Sequence, residues 1–195
     1  MSKSDSTNNK RERKKTIRWV VTIFLITIFV SGLITFVSDL IMDASTMIVA
    51  FIILLAIVLL GILFDVIGMA VASAEEKPFH SMAARRVPGA QEAIRLLRNA
   101  ERVSSICNDV VGDICGVVSG SASATIATQV LVRLDTFAWP KLIVLAMSAL
   151  VAGLTVGGKA IGKTYAIKSC TPIVHSVGKF IWAIKNISQI MKKRK

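Results

Sequence analysis

The stretch VGGKAIGKTYA, residues 156–166, decides how this chain folds. Gly157, Gly162, Lys163 and Thr164 stand in the spacing G-x-x-x-x-G-K-[ST], which in nucleotide-binding loops closes backbone N–H groups around phosphate. Such a loop works only where a buried strand delivers it and a helix follows, inside an α/β domain. Here it ends an apolar run over residues 139–161, and only residues 167–195 come after it. No nucleotide-binding domain can be assembled from these, so no nucleotide is expected, and the stretch reads as the polar end of a long apolar helix.

Composition agrees with the helix. Apolar side chains make up 53% of the 195 residues and the mean hydropathy is +0.64, well outside the range of an ordinary soluble domain. The net charge of +12 would suggest a nucleic-acid partner in a soluble protein, but the charges lie between long apolar runs. No nucleic acid is expected; the partners are the lipid bilayer and its anionic headgroups. Cys107, Cys115 and Cys170 show no C-x-x-C spacing and read as packing residues. His80 and His175 are isolated, and no nucleophile stands with a base, so an enzyme is not expected.

Four apolar runs, residues 19–37, 46–74, 103–134 and 139–161, each reach the roughly 20 residues that cross a bilayer core. The first is too long for a signal-peptide core and should remain as an anchor. KRERKK precedes the first run, the connector between the second and third is Arg-rich, and the chain ends in MKKRK, whereas SDLIMDAS and RLDTFAW are acidic or nearly neutral. The positive-inside rule then places both termini and the long connector in the cytoplasm of a multi-pass cell-membrane protein. The expected architecture is all-α and integral to the membrane. It comprises a basic N-terminus (1–18), an extra N-terminal span with its external loop (19–45), a three-helix domain (46–174) and an amphipathic basic C-terminal helix (175–195).

In the connector, GAQEAIRLLRNAERV sets Ala93, Leu96, Leu97 and Ala100 on one helical face and Arg95, Arg98 and Arg102 largely off it. It is expected to lie along the membrane surface. The tail sets Phe180, Ile181, Ile184, Ile187 and Met191 against Lys179, Lys185 and Lys192, which suits an interfacial helix beside anionic lipid.

Ionisable groups inside a membrane are costly and tend to face a bundle interior or a watery cavity, with partners. Four occur here: Asp65, Asp109, Asp113 and Lys159. Counted from the basic ends of their helices, all lie roughly 6 to 18 Å inward at 1.5 Å per residue, so they can share the inner half of the membrane. On an α-helix Asp109 and Asp113 share a face, with Ser105, Gly112 and Gly116 nearby and Asn108 beside them. Such a cluster offers the hard oxygen ligands that Mg²⁺ or Ca²⁺ takes. It can equally be a salt-bridge network that satisfies itself, with Lys159 paired to Asp65 or Asp113. Gly112, Gly116 and Gly120, and then Gly153 and Gly157, form narrow ridges on which close backbone packing is expected.

The opening stretch also resembles V-F-G-E-I-I-P-K-[ST]-Y-A, the signature that closes the transmembrane domain of the CNNM/CorC (DUF21-type) family of magnesium transport proteins. Val156, Gly158, Ile161, Lys163, Thr164, Tyr165 and Ala166 fit it. Upstream, NAERVSSICNDVVGD is similar to the family's N-P-E-R-L-L-S-T and the Asn-bearing helix after it. AQEAIRLLRN resembles its basic connector, and FDVIGMAVASAEE occupies the place of F-S-A-S-E-T-A-L-T-S-L. The similarity runs over residues 53–178 in the family's order.

The resemblance implies a three-helix membrane domain with a cytoplasmic connector and a juxtamembrane helix, commonly a homodimer, here with an extra span in front. Regulatory CBS modules usually follow that domain, and none is expected within these residues. The family's ion site draws on Ser residues of the first motif, the Asn of the second and the Gly-Glu of the third. By that analogy the metal residues here are Asp65, where a Ser is usual, Asn108, Asp109, Asp113 and Gly158. Only Gly158 matches directly, and the Asn-bearing helix admits more than one register. Lys159 replaces the family Glu, as a charge partner or a substitute for the ion, and Gly162 replaces its Pro. The function implied is divalent cation transport or homeostasis, with Mg²⁺ as the ion. The alternative is a non-transporting scaffold or regulator whose Lys159 fills the former ion site.

Cysteines placed singly at Asp43 and Thr136 should react with an impermeant reagent from outside intact cells, and those at Ser81 and Ser188 only once the membrane is opened. Labelling at position 81 from outside overturns the orientation.

Overall fold

The computed structural model describes residues 3–43, 47–134 and 140–193, and these contain helices and no strand. The long helices are α1 (Lys3–Asp43), α2 (Met47–Ser73), α6 (Asp113–Leu134), α7 (Pro140–Lys168) and α8 (Cys170–Lys193). The connector folds into α3 (Lys77–Ala84), α4 (Ala90–Arg98) and α5 (Ala100–Ser105), and a π-helical segment, Ile106–Gly112, joins α5 to α6. Four stretches are long and apolar enough to cross a membrane: Ile17–Ser38, Met47–Ser73, Ala100–Leu131 and Val144–Lys168. They overlap the four apolar runs, the fourth reaching seven residues further, to Lys168. The centres of the two expected external connections, residues 44–46 and 135–139, lie outside the described residues.

Helix α2 is the axis of the bundle, packed against α6 and α7 along its length and against the π segment, α5 and α8 nearer its end. Ala50, Leu54 and Val58 of α2 meet Ala122 and Ile126 of α6 and Val151 of α7 in one apolar core. A second core lies at the other end of α2, where Ala70 and Val71 meet Phe79, Ala93, Leu97, Ala166 and Val174. Helix α1 packs mainly on α6, and the Arg102 guanidinium stands 5.4 Å over the Trp19 ring, tying α1 to α5 by a cation–π contact.

The second core alters the expected place of the connector. Its apolar stripe does not face a membrane surface: Ala93 and Leu97 are buried and Leu96 and Ala100 partly so, against α2, α3 and α8. The sequence encodes this fold in its turns. Pro78 enters the first turn of α3, where its missing N–H costs nothing. At the end of α3 the Val87 N–H donates to the Met82 carbonyl and the Arg86 N–H to that of Ala83, the paired bonds of a Schellman cap. Arg86 takes the left-handed position, φ 57°, that glycine usually fills. Pro88 and Gly89, φ 85°, then turn the chain into α4.

Helices α4 and α8 meet backbone to backbone. A Cβ on Gly178 would stand 2.5 Å from the Gly89 carbonyl oxygen and 3.0 Å from the Ala93 nitrogen. The mostly buried Glu92 side chain bridges the same pair of helices through Lys185 Nζ at 3.2 Å. The expected glycine ridges behave differently: a Cβ on Gly116, Gly120, Gly153 or Gly157 would meet nothing within 4 Å. The close approaches belong instead to α2. Gly61 would meet Cys115 Cβ at 2.8 Å, Gly162 would meet Val66 Cγ2 at 2.6 Å, and Gly158 would collide with Ile62. Because α2 occupies the centre, α6 and α7 turn toward it and leave their glycine ridges on the outside.

Gly178→Val should cost about 1–3 kcal/mol by overpacking against backbone that cannot yield. A lower melting temperature in detergent and faster proteolysis beyond α7 are expected, while Gly32→Ala, in open space, leaves both unchanged.

Candidate ion-binding site

The site forms where the two apolar cores part. Asp65 projects from α2 and is 3% exposed, an ionisable side chain in an otherwise apolar helix. Opposite it the third span changes winding. In the π segment hydrogen bonds reach one residue further than in an α-helix, a departure often found at functional sites. Its buried residues are Cys107 and Gly112, five apart. The same winding brings the Asn108 amide against Gly68, where a Cβ would collide with Oδ1 and stand 2.9 Å from Cγ. Gly68 therefore makes room for Asn108 one turn beyond Asp65 on α2.

Lys159 completes the group from α7. Its Nζ donates to the Gly112 carbonyl oxygen at 3.4 Å, a long contact spanning 47 residues of chain. A Cβ on Gly112 would lie 3.4 Å from that Nζ and 4.0 Å from Asp65 Oδ1, so ammonium and carboxylate flank one backbone position. The expected Lys159–carboxylate ion pair is not what forms. Within 4.0 Å, Asp65 pairs with Lys163, one turn further along α7, at 3.9 Å from Oδ2 and too long for a hydrogen bond. Lys159 leaves α7 facing the start of α6, where the nearest acceptor is a carbonyl that glycine leaves uncovered.

Asp65 and Lys159 are thus brought together at Gly112, while Asn108 lies one turn further along α2, against Gly68. Asp109 and Asp113 are exposed. Asp109 accepts from Ser105 Oγ at 2.7 Å, and among the described residues neither aspartate pairs with a lysine or arginine. Gly158 lies against Ile62 as a packing position. Among the described residues no three His, Cys, Asp or Glu side chains gather as a metal cluster. What the site offers is one carboxylate and two neutral oxygens, Asn108 Oδ1 and the Gly112 carbonyl. Asp65 Oδ2 and Asn108 Oδ1 are buried and accept no hydrogen bond. Carbonyl, amide and carboxylate oxygens suit a hard cation, so the residues fit one in kind.

The sequence pointed to Asp65, Asn108 and Lys159 by their polarity inside apolar helices. It missed Gly68 and Gly112 as the positions that admit them, because small residues signal close approach without saying to what. Comparison with protein-family models, with curated proteins and with solved structures finds no match to this chain.

Gly68→Ala should destabilise the protein by about 1–3 kcal/mol, since the Asn108 amide must move. In an Asn108→Ala background the same change should cost less. A double-mutant cycle by thermal melting reads the coupling, and strict additivity would place Asn108 elsewhere.

Proposed function

We propose that this is a multi-pass cell-membrane protein of divalent cation transport or homeostasis, similar to the CNNM/CorC transmembrane domain, with Mg²⁺ as the ion and both termini in the cytoplasm. One observation carries the proposal: Asp65 Oδ2, on α2, and Asn108 Oδ1, against Gly68 one turn further, are buried acceptors with no hydrogen bond. A buried acceptor left unsatisfied costs about 1–3 kcal/mol, a cost that a cation bound at Asp65 relieves there. Asp65 binds the ion by charge, and a passing ion then meets the Asn108 amide oxygen one turn further along α2. The chain works as a homodimer, because open glycines at 116, 120, 153 and 157 give a second copy a narrow face to pack on. Basic and apolar side chains on the outer side of α8, such as Lys179 and Phe180, meet anionic headgroups. No catalysis and no nucleotide enter this account.

A second reading has its own support. Lys159 Nζ already lies on the Gly112 carbonyl, as a tethered cation would, and this favours a scaffold or regulator that moves no ion. A unit charge and a divalent ion about 4 Å apart repel by about 8 kcal/mol at an effective dielectric of 20, so Mg²⁺ enters only if Lys159 swings away.

Proteoliposomes should take up Mg²⁺ above empty vesicles, and Asp65→Asn should abolish the excess. Added Mg²⁺ should raise the melting temperature of Lys159→Glu more than that of wild type, since a ligand held only by the folded state stabilises it. Folded protein without flux selects the scaffold; equal shifts in both proteins remove Lys159 from the site.

A further inference from the structure

Two carboxylates of the third span stand outside the ion site. Asp109 and Asp113 are the tenth and fourteenth residues of the 32-residue span Ala100–Leu131, and both are exposed. Asp109 accepts from Ser105 Oγ at 2.7 Å, a neutral donor one turn away on the same span. Among the described residues neither aspartate has a lysine or arginine within ion-pair distance. A carboxylate turned toward hydrocarbon is costly, so acids inside a membrane face a partner. The exposed stripe that carries them continues through Val117, Gly120 and Ala124.

Helix α7 carries the complementary charge at the same depth. Helix α2 touches both neighbours and so fixes their register. Gly61 lies against Cys115 and Ile62 against Gly158; further on, Val66 lies against Gly162 and Gly68 against Asn108. Asp109, next to Asn108, and Lys163, next to Gly162, are therefore level to within about a turn. Lys163 is 47% exposed on its side chain and meets Asp65 at 3.9 Å, too long for a hydrogen bond. Beyond it the outer side of α7 is small, with Ala160, Gly157 and Gly153 exposed. Gly116 and Gly120 of α6 border one seam with Ala152 and Val156 of α7, which sets the two stripes on one face of the bundle. Half of that face is acidic and half basic at one level, and both halves narrow to small residues.

We propose that this face binds a second copy of the chain about a two-fold axis along the membrane normal, α6 of each copy against α7 of the other, with Asp109 of one paired to Lys163 of the other. An axis in that direction keeps every residue at its own depth, and an isologous contact makes each pair twice. Gly120 then meets Gly153 at one level, and the two backbones can close. Packing α6 on α6 instead sets carboxylate against carboxylate. The interface also reaches the ion site, because Lys163 is the cation beside Asp65 Oδ2. A carboxylate from the second copy competes for that lysine and leaves less positive charge around Asp65. The pairing specifies the contacts of the proposed homodimer and rests on the membrane reading, not on any ion.

The test co-expresses two differently tagged copies in a Cys107→Ala, Cys115→Ala, Cys170→Ala background, one with Val117→Cys and one with Val156→Cys, which are 62% and 66% exposed on the two stripes. A disulfide forms only between closely opposed backbones. Oxidised membranes should therefore yield at least about fivefold more mixed dimer than Val117→Cys with Leu154→Cys, which lines the groove between α2 and α7. Asp109→Lys in both copies, or Lys163→Asp in both, should lower the yield to that of the control. Asp109→Lys in one copy with Lys163→Asp in the other should restore it, since both cross-pairs are again opposite in sign. Should Lys163→Asp fail to fold beside Asp65, Lys163→Met takes its place and should restore part of the yield. Should the Cys-free protein fail to fold, Cys107 and Cys115, both buried, are left in place. No mixed linkage above the control, or no recovery in the crossed pair, overturns the interface. Recovery without Mg²⁺ flux keeps the interface and removes the transport reading, while flux without mixed linkage does the reverse.

Discussion

A carboxylate buried in the axis of the bundle sets the conditions for the rest of the structure. Asp65 stands on α2 between two apolar cores, with Val58 closing one and Ala70 and Val71 opening the other. A buried charge with neither a partner nor a hydrogen bond is too costly to keep. The neighbouring elements answer that constraint. Helix α7 sends Lys163 to Oδ2 from its polar end and Lys159 to the Oδ1 side, and the third span changes winding opposite the carboxylate. Glycine at 68 brings the Asn108 amide close to α2 where any Cβ would hold it apart. The polar layer is a consequence of one residue, and the two cores isolate it.

The second core gives the layer its rigidity. Were the connector only resting on a surface, the end of α2 would be free to turn and Asp65 with it. Instead Phe79, Ala93, Leu97 and Val174 grip Ala70 and Val71 one to two turns beyond Asp65. The clasp closes through the Gly89–Gly178 approach and the Glu92–Lys185 ion pair. That pair is half exposed at the lysine and contributes little by itself. Its role is register, fixing which turn of α8 faces α4, while the glycine contact sets how closely they approach.

Most of the helical architecture was legible in the sequence because apolar run length is a direct consequence of helix rise. All four runs, and the helical patterning in the connector and tail, follow from that. What periodicity could not supply was the destination of each face. Ala93 and Leu97 have the same spacing whether they meet lipid or Val174. The glycine ridges likewise announce close packing, yet the close approaches are made by Gly61, Gly68, Gly158 and Gly162 around α2. The π segment is the clearest case. An α-helical count makes Asp109 and Asp113 the centre of the cluster, whereas the altered winding buries Cys107 and Gly112 and leaves both aspartates exposed. ICNDVVG contains no proline, and its one glycine, Gly112, stands at its end.

The outcome for an ion turns on charge. With Lys159 and Lys163 both near Asp65, the layer carries one negative group against two positive ones, so it repels cations as it stands. Lys163 is 47% exposed on its side chain, and solvent screens much of its field. Lys159 is half-buried and, among the described residues, is held by a 3.4 Å contact to a neutral carbonyl and by no carboxylate within ion-pair distance. So weak a tether is easily exchanged for water. Moving this one ammonium off the Gly112 carbonyl frees that oxygen and removes one of the two positive charges beside Asp65. The same side chain that blocks the site is therefore the one whose displacement would open it.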